Sequence, residues 1–416
     1  MQSGDGLIVR VHAGSGWLSS QNIRDLTRFA AQYGNGQLEL TRRANLQLRG
    51  VREAGLAALQ AALVEHGLAQ PSAELEARAA LVVDPLCELD PACAPLTGLA
   101  ARLRDALLRA PGPMRLPSKF GVVVEGGSAA LDDVAAEIRL RVERTSADRV
   151  WLYVAGSAHD ARVLGVCREA DAPAALLALV SSVADGTPMR DAIARAGLDS
   201  LRSRLSPWLL ADESPPARPA AAARLIGFCA ARDASASQGY VGLGLAFGSA
   251  DVELWNTLAD LADTHGRGQL RATASRSLLV PVSAERAADL LARAAAAGCI
   301  TDAQDPLLRA IACPGAPACS AAAGETRALA RRLVQVARPL FDAHTSLHVS
   351  GCGKSCALTG SASFSVVHSA AGVHLGFDCD VAAATAQPAQ PLAAIERRFA
   401  ALARAPVAAS APVGVG

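Results

Sequence analysis

Four cysteines define the chemistry this chain can do. Cys313-Pro-Gly-Ala-Pro-Ala-Cys319 sets two thiols with five residues between them, and Cys352-Gly-Lys-Ser-Cys356 sets two more with three between them, all within 44 residues. Thiolates on two short loops separated by a helix-length spacer can converge as a 4Fe-4S cluster requires, one per corner iron. Pro314 and Pro317 stiffen the first loop. Gly351 and Gly353 let backbone come close, so that N–H groups can face cluster sulfurs. A structural zinc site favours gaps of two to four residues in both pairs, and the first gap here is five. Inert buried thiols would not explain paired spacing beside Pro and Gly. The other six, Cys87, Cys93, Cys167, Cys229, Cys299 and Cys379, read as core or surface thiols.

Two apparent nucleotide motifs fail on spacing. Gly353-Lys-Ser355 resembles the end of a phosphate loop, but the earlier glycine position holds His348. Gly242-Leu-Gly-Leu-Ala-Phe-Gly248 has one residue too many for a dinucleotide fingerprint and lies within a strand pattern. Electrons are therefore expected from a separate donor protein, or from a cofactor that visits without a dedicated domain.

The elements that must hold these loops emerge from length and periodicity. A chain of 416 residues, 51% hydrophobic and 19% charged, is globular and long enough for several domains. With 40 basic against 39 acidic residues the net charge is +1, which leaves no footprint for nucleic acid. The start, Met1 to Leu7, lacks a basic and apolar leader, and the apolar run Ala172–Ala184 is too short to span a bilayer. A soluble, cytoplasmic protein is expected, where cysteines serve metals or packing more than disulfides.

Gly6–His12 reads as a strand, followed by a turn and a helix capped near Ser19 or Ser20. Gly34-Asn-Gly36 is a turn, Gln37–Gly50 a pair of strands and Ala54–His66 a second helix. The unit returns: strand Val241–Phe247, helix Val252–Thr264, then Gln269–Val280 in step with Gln37–Leu48, and helix Ala284–Ala297. After each unit comes a longer α/β stretch. The first has a strand in Leu116–Val124, a strand Val150–Val154 and helices Ala172–Asp185 and Pro188–Gly197. The second has the cysteine loops, a helix with Leu329, Leu333, Val336 and Leu340 inward, and strands at 347–349, 364–368 and 373–377. This predicts an α+β fold with boundaries at 1–70, 75–205, a Pro/Ala-rich linker at 206–237, 238–300, 301–405, and a flexible tail at 406–416.

With the paired cysteines and the repeat in view, the chain resembles the sulfite/nitrite reductase superfamily from Gly6 to about Phe377. That resemblance implies two ferredoxin-like half-domains alternating with two larger α/β domains. It implies the four cysteines as cluster ligands, with Cys356 the one that also bridges to sirohaem in the reductases. Within the superfamily, Leu40–Val51, Val83–Pro91 and His348–Cys356 are similar to the precorrin-3B synthase branch of aerobic cobalamin biosynthesis. The reductases' first-strand Arg-x-Arg is Arg10 with His12 here. Their Lys-x-Lys after Leu-Pro is Lys119 with Gly121, and the 83–91 loop supplies no arginine. A six-electron reduction needs that cationic, proton-donating cage.

What the resemblance implies is an O2-dependent monooxygenase that hydroxylates precorrin-3A at C20 with lactone formation. NADH would be the ultimate electron source. A mononuclear non-haem iron is implied beside the cluster, with His12, His348 and His374 as candidate ligands, and sirohaem is less expected. Arg42, Arg43, Arg49, Lys119 and Arg276 are the expected grips for a polycarboxylate macrocycle, since Arg suits bidentate carboxylate contacts. No residue is singled out as catalytic.

Overall fold

The structure is a computed structural model that describes residues 2–13, 16–143, 148–211, 214–215, 217, 223–231, 238–342, 344–358 and 360–404. Of the expected 206–237 linker, residues 206–211, 214–215, 217 and 223–231 are described, and Gly227–Ala230 is instead a strand paired with Gly239–Gly242; the 406–416 tail lies wholly outside the described residues. The chain forms two compact units. One is Ile8–Thr301, and the other joins the described residues before Ile8 to those after Thr301. No helix of the described residues is long and apolar enough to cross a membrane.

In the larger unit the repeat is structural. The helices Ser20–Tyr33 and Val252–His265 are both 14 residues long. Ser19 caps the first in a reciprocal capping box with Asn22, and Asp251 caps the second by accepting the Leu254 N–H at 2.9 Å. The hairpins Gln37–Leu40 with Leu46–Val51 and Gln269–Ala272 with Ser277–Ser283 share one turn. Thr41 Oγ1 accepts the Asn45 N–H at 3.1 Å, and Thr273 Oγ1 accepts that of Ser277 at 3.1 Å. Ala44 and Arg276 hold the same left-handed φ, 54° and 63°.

The repeats are interlocked. Strand Trp17–Ser19, just before the first helix, pairs with Gln269–Arg271 of the second repeat. Ser249–Asp251 returns the exchange by pairing with Gln37–Glu39. Neither strand is foreseen from sequence: three residues are too few to show alternation, and their partners are far along the chain. Arg24 seals the pair of helices with Asp260 and Asp263, at 2.6 and 2.7 Å.

Each α/β stretch builds its sheet in the same way. In the larger unit Leu81–Val83, Val122–Glu125 and Ala136–Val142 run parallel, and Arg149–Gly156 and Arg162–Arg168 add antiparallel. In the smaller unit Ala310–Ala312, Leu347–Ser350 and Ala362–Ser369 run parallel, and Gly372–Cys379 closes antiparallel. Leu99, Leu103 and Leu107 of helix Thr97–Arg109 and Leu176 and Leu179 of Ala172–Val180 bury against Val122, Ile138 and Leu152. Each fully buried side chain of this size contributes roughly 1.5–3 kcal/mol. In the smaller unit Phe364 sits among Phe341, Phe377 and Phe399, ring centroids 5.0–6.2 Å away.

Three local expectations need correction. The helix from Ala172 stops at Val180 rather than Asp185. The strand ending at Phe247 stops at Gly244, because Phe247 takes φ 60° in a tight turn. Val336 is 45% exposed, since helix Thr326–Val336 ends there and buries Thr326, Leu329, Ala330, Leu333 and Val334, and Leu340 lies beyond it in the turn Arg338–Leu340.

Candidate metal centre and anion recess

Parallel neighbours put both cysteine loops at one sheet edge. Cys313 directly follows Ala310–Ala312, and Cys352 and Cys356 follow Leu347–Ser350. The Gly351 N–H donates to Cys313 Sγ at 3.2 Å, and the Ala323 N–H ties the first loop to the Gly351 carbonyl at 2.8 Å. Thr326 Oγ1 donates to the Cys313 carbonyl at 2.5 Å where its helix begins. A Cβ on Gly351 would stand 2.6 Å from Cβ of Ala322, so glycine is what lets the two loops meet. Burial raises the Cys356 thiol, and charge on Cys352, Cys313 and Cys319 raises it further: the four thiols share one electrostatic neighbourhood. Cys356 is exposed, the other three half-buried.

Among the described residues, no three His, Cys, Asp or Glu side chains stand close enough together to hold a single metal ion. A four-iron cluster places its own irons and sulfides between the thiolates and does not ask that of them. The thiol set, the sheet-edge geometry and the Gly351 N–H on sulfur fit such a cluster. Among the described residues, His12, His348 and His374 form no group of three that could hold a mononuclear iron. His374 is already engaged, Nδ1 with the Gln387 carbonyl at 2.7 Å and Nε2 with Ser369 Oγ at 2.8 Å. These residues do not fit a single-iron site.

His348 is fully buried, with neither ring nitrogen hydrogen-bonded among the described residues. Burial pushes its pKa down from 6.5 to about 4. The unfolded chain therefore binds the extra proton first, and stability is lost as pH falls from 6.5 towards 4. Urea titrations across that window are expected to show an acid loss of up to about 3 kcal/mol that His348→Leu removes. Identical pH slopes in both proteins would refute it.

The cysteine corner has an oxygen-bearing counterpart within the larger unit. Asp84 follows Leu81–Val83 as Cys313 follows Ala310–Ala312, and Asp84 Oδ2 accepts the Gly126 N–H at 3.1 Å. The Ala94 N–H reaches the Gly126 carbonyl at 3.0 Å, as Ala323 reaches Gly351. The Asp84 carboxylate also takes the Leu86 and Ser128 N–H groups and the Ser128 hydroxyl. The loop Val83–Pro91 is thus a rigid structural counterpart of the cysteine loop.

Arg271, absent from the sequence expectations, clamps that loop. It is fully buried, donates to the Cys87 carbonyl at 2.7 Å and Cys87 Sγ at 2.8 Å, reaches Glu88 at 3.3 Å, and lies over Trp17 at 4.7 Å. Glu88 in turn accepts the Leu96 and Thr97 N–H groups at 2.8 and 2.9 Å. The available signal was position: Arg271 replaces Glu39 of the first repeat, on a strand flanked by Leu270 and Ala272.

A recess of about 200 Å³ in the larger unit is lined by Arg10, His12, Arg43, Asn45, Phe120 and Gly121 among others. Arg43 donates to the Phe120 carbonyl at 3.0 Å and approaches that of Ala135 at 3.5 Å. Neither Arg43 nor Arg10 has a carboxylate ion pair among the described residues. Burial lowers the Arg43 pKa, and the charge of Arg10 lowers it further. A Cβ on Gly121 would stand 3.0 Å from Arg43 Nη1, so the missing lysine-motif side chain leaves that space to the guanidinium. Lys119 is exposed between the lining residues Ser118 and Phe120, and Arg42 is exposed in the same turn as Arg43. Arg276 is half-buried in the second repeat's turn. Arg49 is only 3% exposed and paired with Glu39 at 3.4 Å, so the expected grip there is spent inside the sheet.

The nitrite/sulfite reductase ferredoxin-like half-domain family matches residues 1–66 and 235–297, the two interlocked repeats. The structure of the Mycobacterium tuberculosis NirA protein aligns with a TM-score of 0.72 over 89% of this chain and 73% of that one, at 18% identity. A ferredoxin–nitrite reductase of Synechococcus elongatus is 26% identical over 382 residues, 84% of this chain and 73% of the relative. The duplicated fold is that of the sulfite/nitrite reductase superfamily, a class of oxidoreductases. A precorrin-3B synthase of Sinorhizobium sp. is 32% identical over 362 residues, covering 86% of this chain and 76% of the relative. The chain belongs to the precorrin-3B synthase family.

Proposed function

We propose that this protein converts precorrin-3A to its C20-hydroxylated lactone, using O2 and two electrons supplied by a separate donor with NADH as the ultimate source. Oxygen balance gives one atom to the macrocycle and the other to water, with two protons taken up. The observation that carries the reading is the recess: two cations, Arg10 and Arg43, with no carboxylate ion pair among the described residues, where a lysine of the reductase motif is replaced by Gly121. Such a site suits a carboxylate arm better than the proton-delivering cage of a six-electron reduction. Arg42, Lys119 and Arg276 are further grips for the same polyanion.

Cys313, Cys319, Cys352 and Cys356 would hold a 4Fe-4S cluster, which supplies single electrons when bound. The chain's own contribution there is the Gly351 N–H on Cys313 sulfur, a contact of the kind that tunes potential. Purified protein with reductant, precorrin-3A and labelled oxygen is expected to give a product heavier by one oxygen atom drawn from O2. The second reading, a sirohaem-dependent sulfite or nitrite reductase, draws on the nitrite reductase relative and the exposed Cys356. Intense haem-type visible bands with sulfite or nitrite turnover would establish it and sink the first.

A further inference from the structure

The recess holds one titratable group besides its arginines. His12 lines it, and its Nδ1 meets Glu76 Oε1 in a short contact, with side chains only 17% and 22% exposed. The other Glu76 oxygen accepts the Gln70 N–H at 2.7 Å, so backbone fixes the carboxylate and the carboxylate fixes the ring. Glu76 is half-buried, and desolvation raises its pKa, but the His12 and Gln70 contacts prevail and hold it below the usual carboxylate range. It therefore stays ionised and accepts Nδ1–H. Nε2 is left as the ring atom without a protein partner among the described residues.

At about 200 Å³ the recess falls below the roughly 300–1,000 Å³ of pockets that enclose whole small molecules. It takes one arm of a larger ligand. Resting on the carboxylate reading above, we propose that His12 and Glu76 form a proton-switched third grip on the single carboxylate arm that enters between Arg10 and Arg43. With neutral imidazole, Nε2 turns a lone pair towards the arm and repels it. Protonated, Nε2–H donates, and Glu76 balances the new charge. The charged groups around the ring are Arg10 and Arg43 in the recess and Glu76 beside it, with Glu137 near Arg43 on the next strand and Arg104 near Glu76 on the next helix. An arriving carboxylate offsets the arginines, so binding takes up a proton and weakens as pH rises.

The test is fluorescence titration with uroporphyrin, a tetrapyrrole octacarboxylate, at pH 6 to 8 on the full chain. Wild type, Glu76→Gln, His12→Asn and Arg43→Met would be compared, each checked for an unchanged thermal melt. Wild-type affinity is expected to fall roughly tenfold from pH 6 to pH 8, while His12→Asn and Glu76→Gln give nearly flat profiles. Parallel slopes in wild type and both variants overturn the grip, as does loss of bound iron in His12→Asn, which would make the ring a metal ligand. Affinity indifferent to Arg43→Met at every pH overturns the carboxylate reading itself, a separate failure.

Discussion

Protein purified with alanine at Cys352 is expected to show no low-temperature EPR signal of a reduced cluster and to lose nearly all its acid-labile sulfide. Cys352 stands one residue beyond Gly351, whose N–H already contacts Cys313 sulfur, so the first loop depends on the second for position as well as for ligands. Removing this thiol leaves a corner iron open in the half-buried mouth of the two loops. The control is Cys167→Ala, a wholly buried thiol that burial raises to about 12 and that packs in the core of the larger unit. It should lose stability and keep the signal. An unchanged spectrum in Cys352→Ala would refute the ligand assignment.

Arg271→Met is the second change of large expected effect. The guanidinium is fully buried, and three of its contacts, the Cys87 carbonyl, Cys87 sulfur and the Trp17 ring, survive only with the cation in place. Methionine fills part of the volume but leaves the Cys87 carbonyl unpaired and the Glu88 carboxylate without its buried partner. Leaving the buried Cys87 carbonyl without its charged donor costs roughly 1–3 kcal/mol, while Glu88 keeps its two backbone N–H donors; that is a sizeable share of the roughly 5–15 kcal/mol that holds a domain together. Urea unfolding measures it. Glu88→Gln, milder because Glu88 is half exposed, provides a soluble comparison should Arg271→Met not fold. A cost below about 1 kcal/mol would show the clamp to be ornamental.

The sequence made the fold legible where signals were local. Ser19 at its cap, the Gly34-Asn-Gly36 turn and the Gln37 and Gln269 hairpins all lie where side-chain pattern and turn chemistry put them. The cysteine spacing likewise named two loops that the parallel strands then bring to one edge. What escaped was long-range. Trp17–Ser19 and Ser249–Asp251 are strands only because each finds an edge in the other repeat. Arg49 and Arg271 looked alike as cations on strands, yet one is spent on Glu39 and the other on the Cys87 loop. Partner choice at such positions depends on residues more than 180 positions away in the second case, and no window of sequence contains it.

The strand exchange has a consequence for how the chain is made. When the ribosome has released the first repeat, the outer edge of Gln37–Leu40 is bare, and Trp17–Ser19 has nothing to pair with. Both partners lie beyond residue 248. At typical synthesis rates of about 5–20 residues per second, roughly ten to forty seconds pass before they emerge. For that interval the nascent protein carries an open sheet edge, the kind of template on which chains aggregate. Expression is therefore expected to be limited by protection of an unfinished half, and a fragment ending before the second repeat should be insoluble even though its own helices and hairpin are well specified.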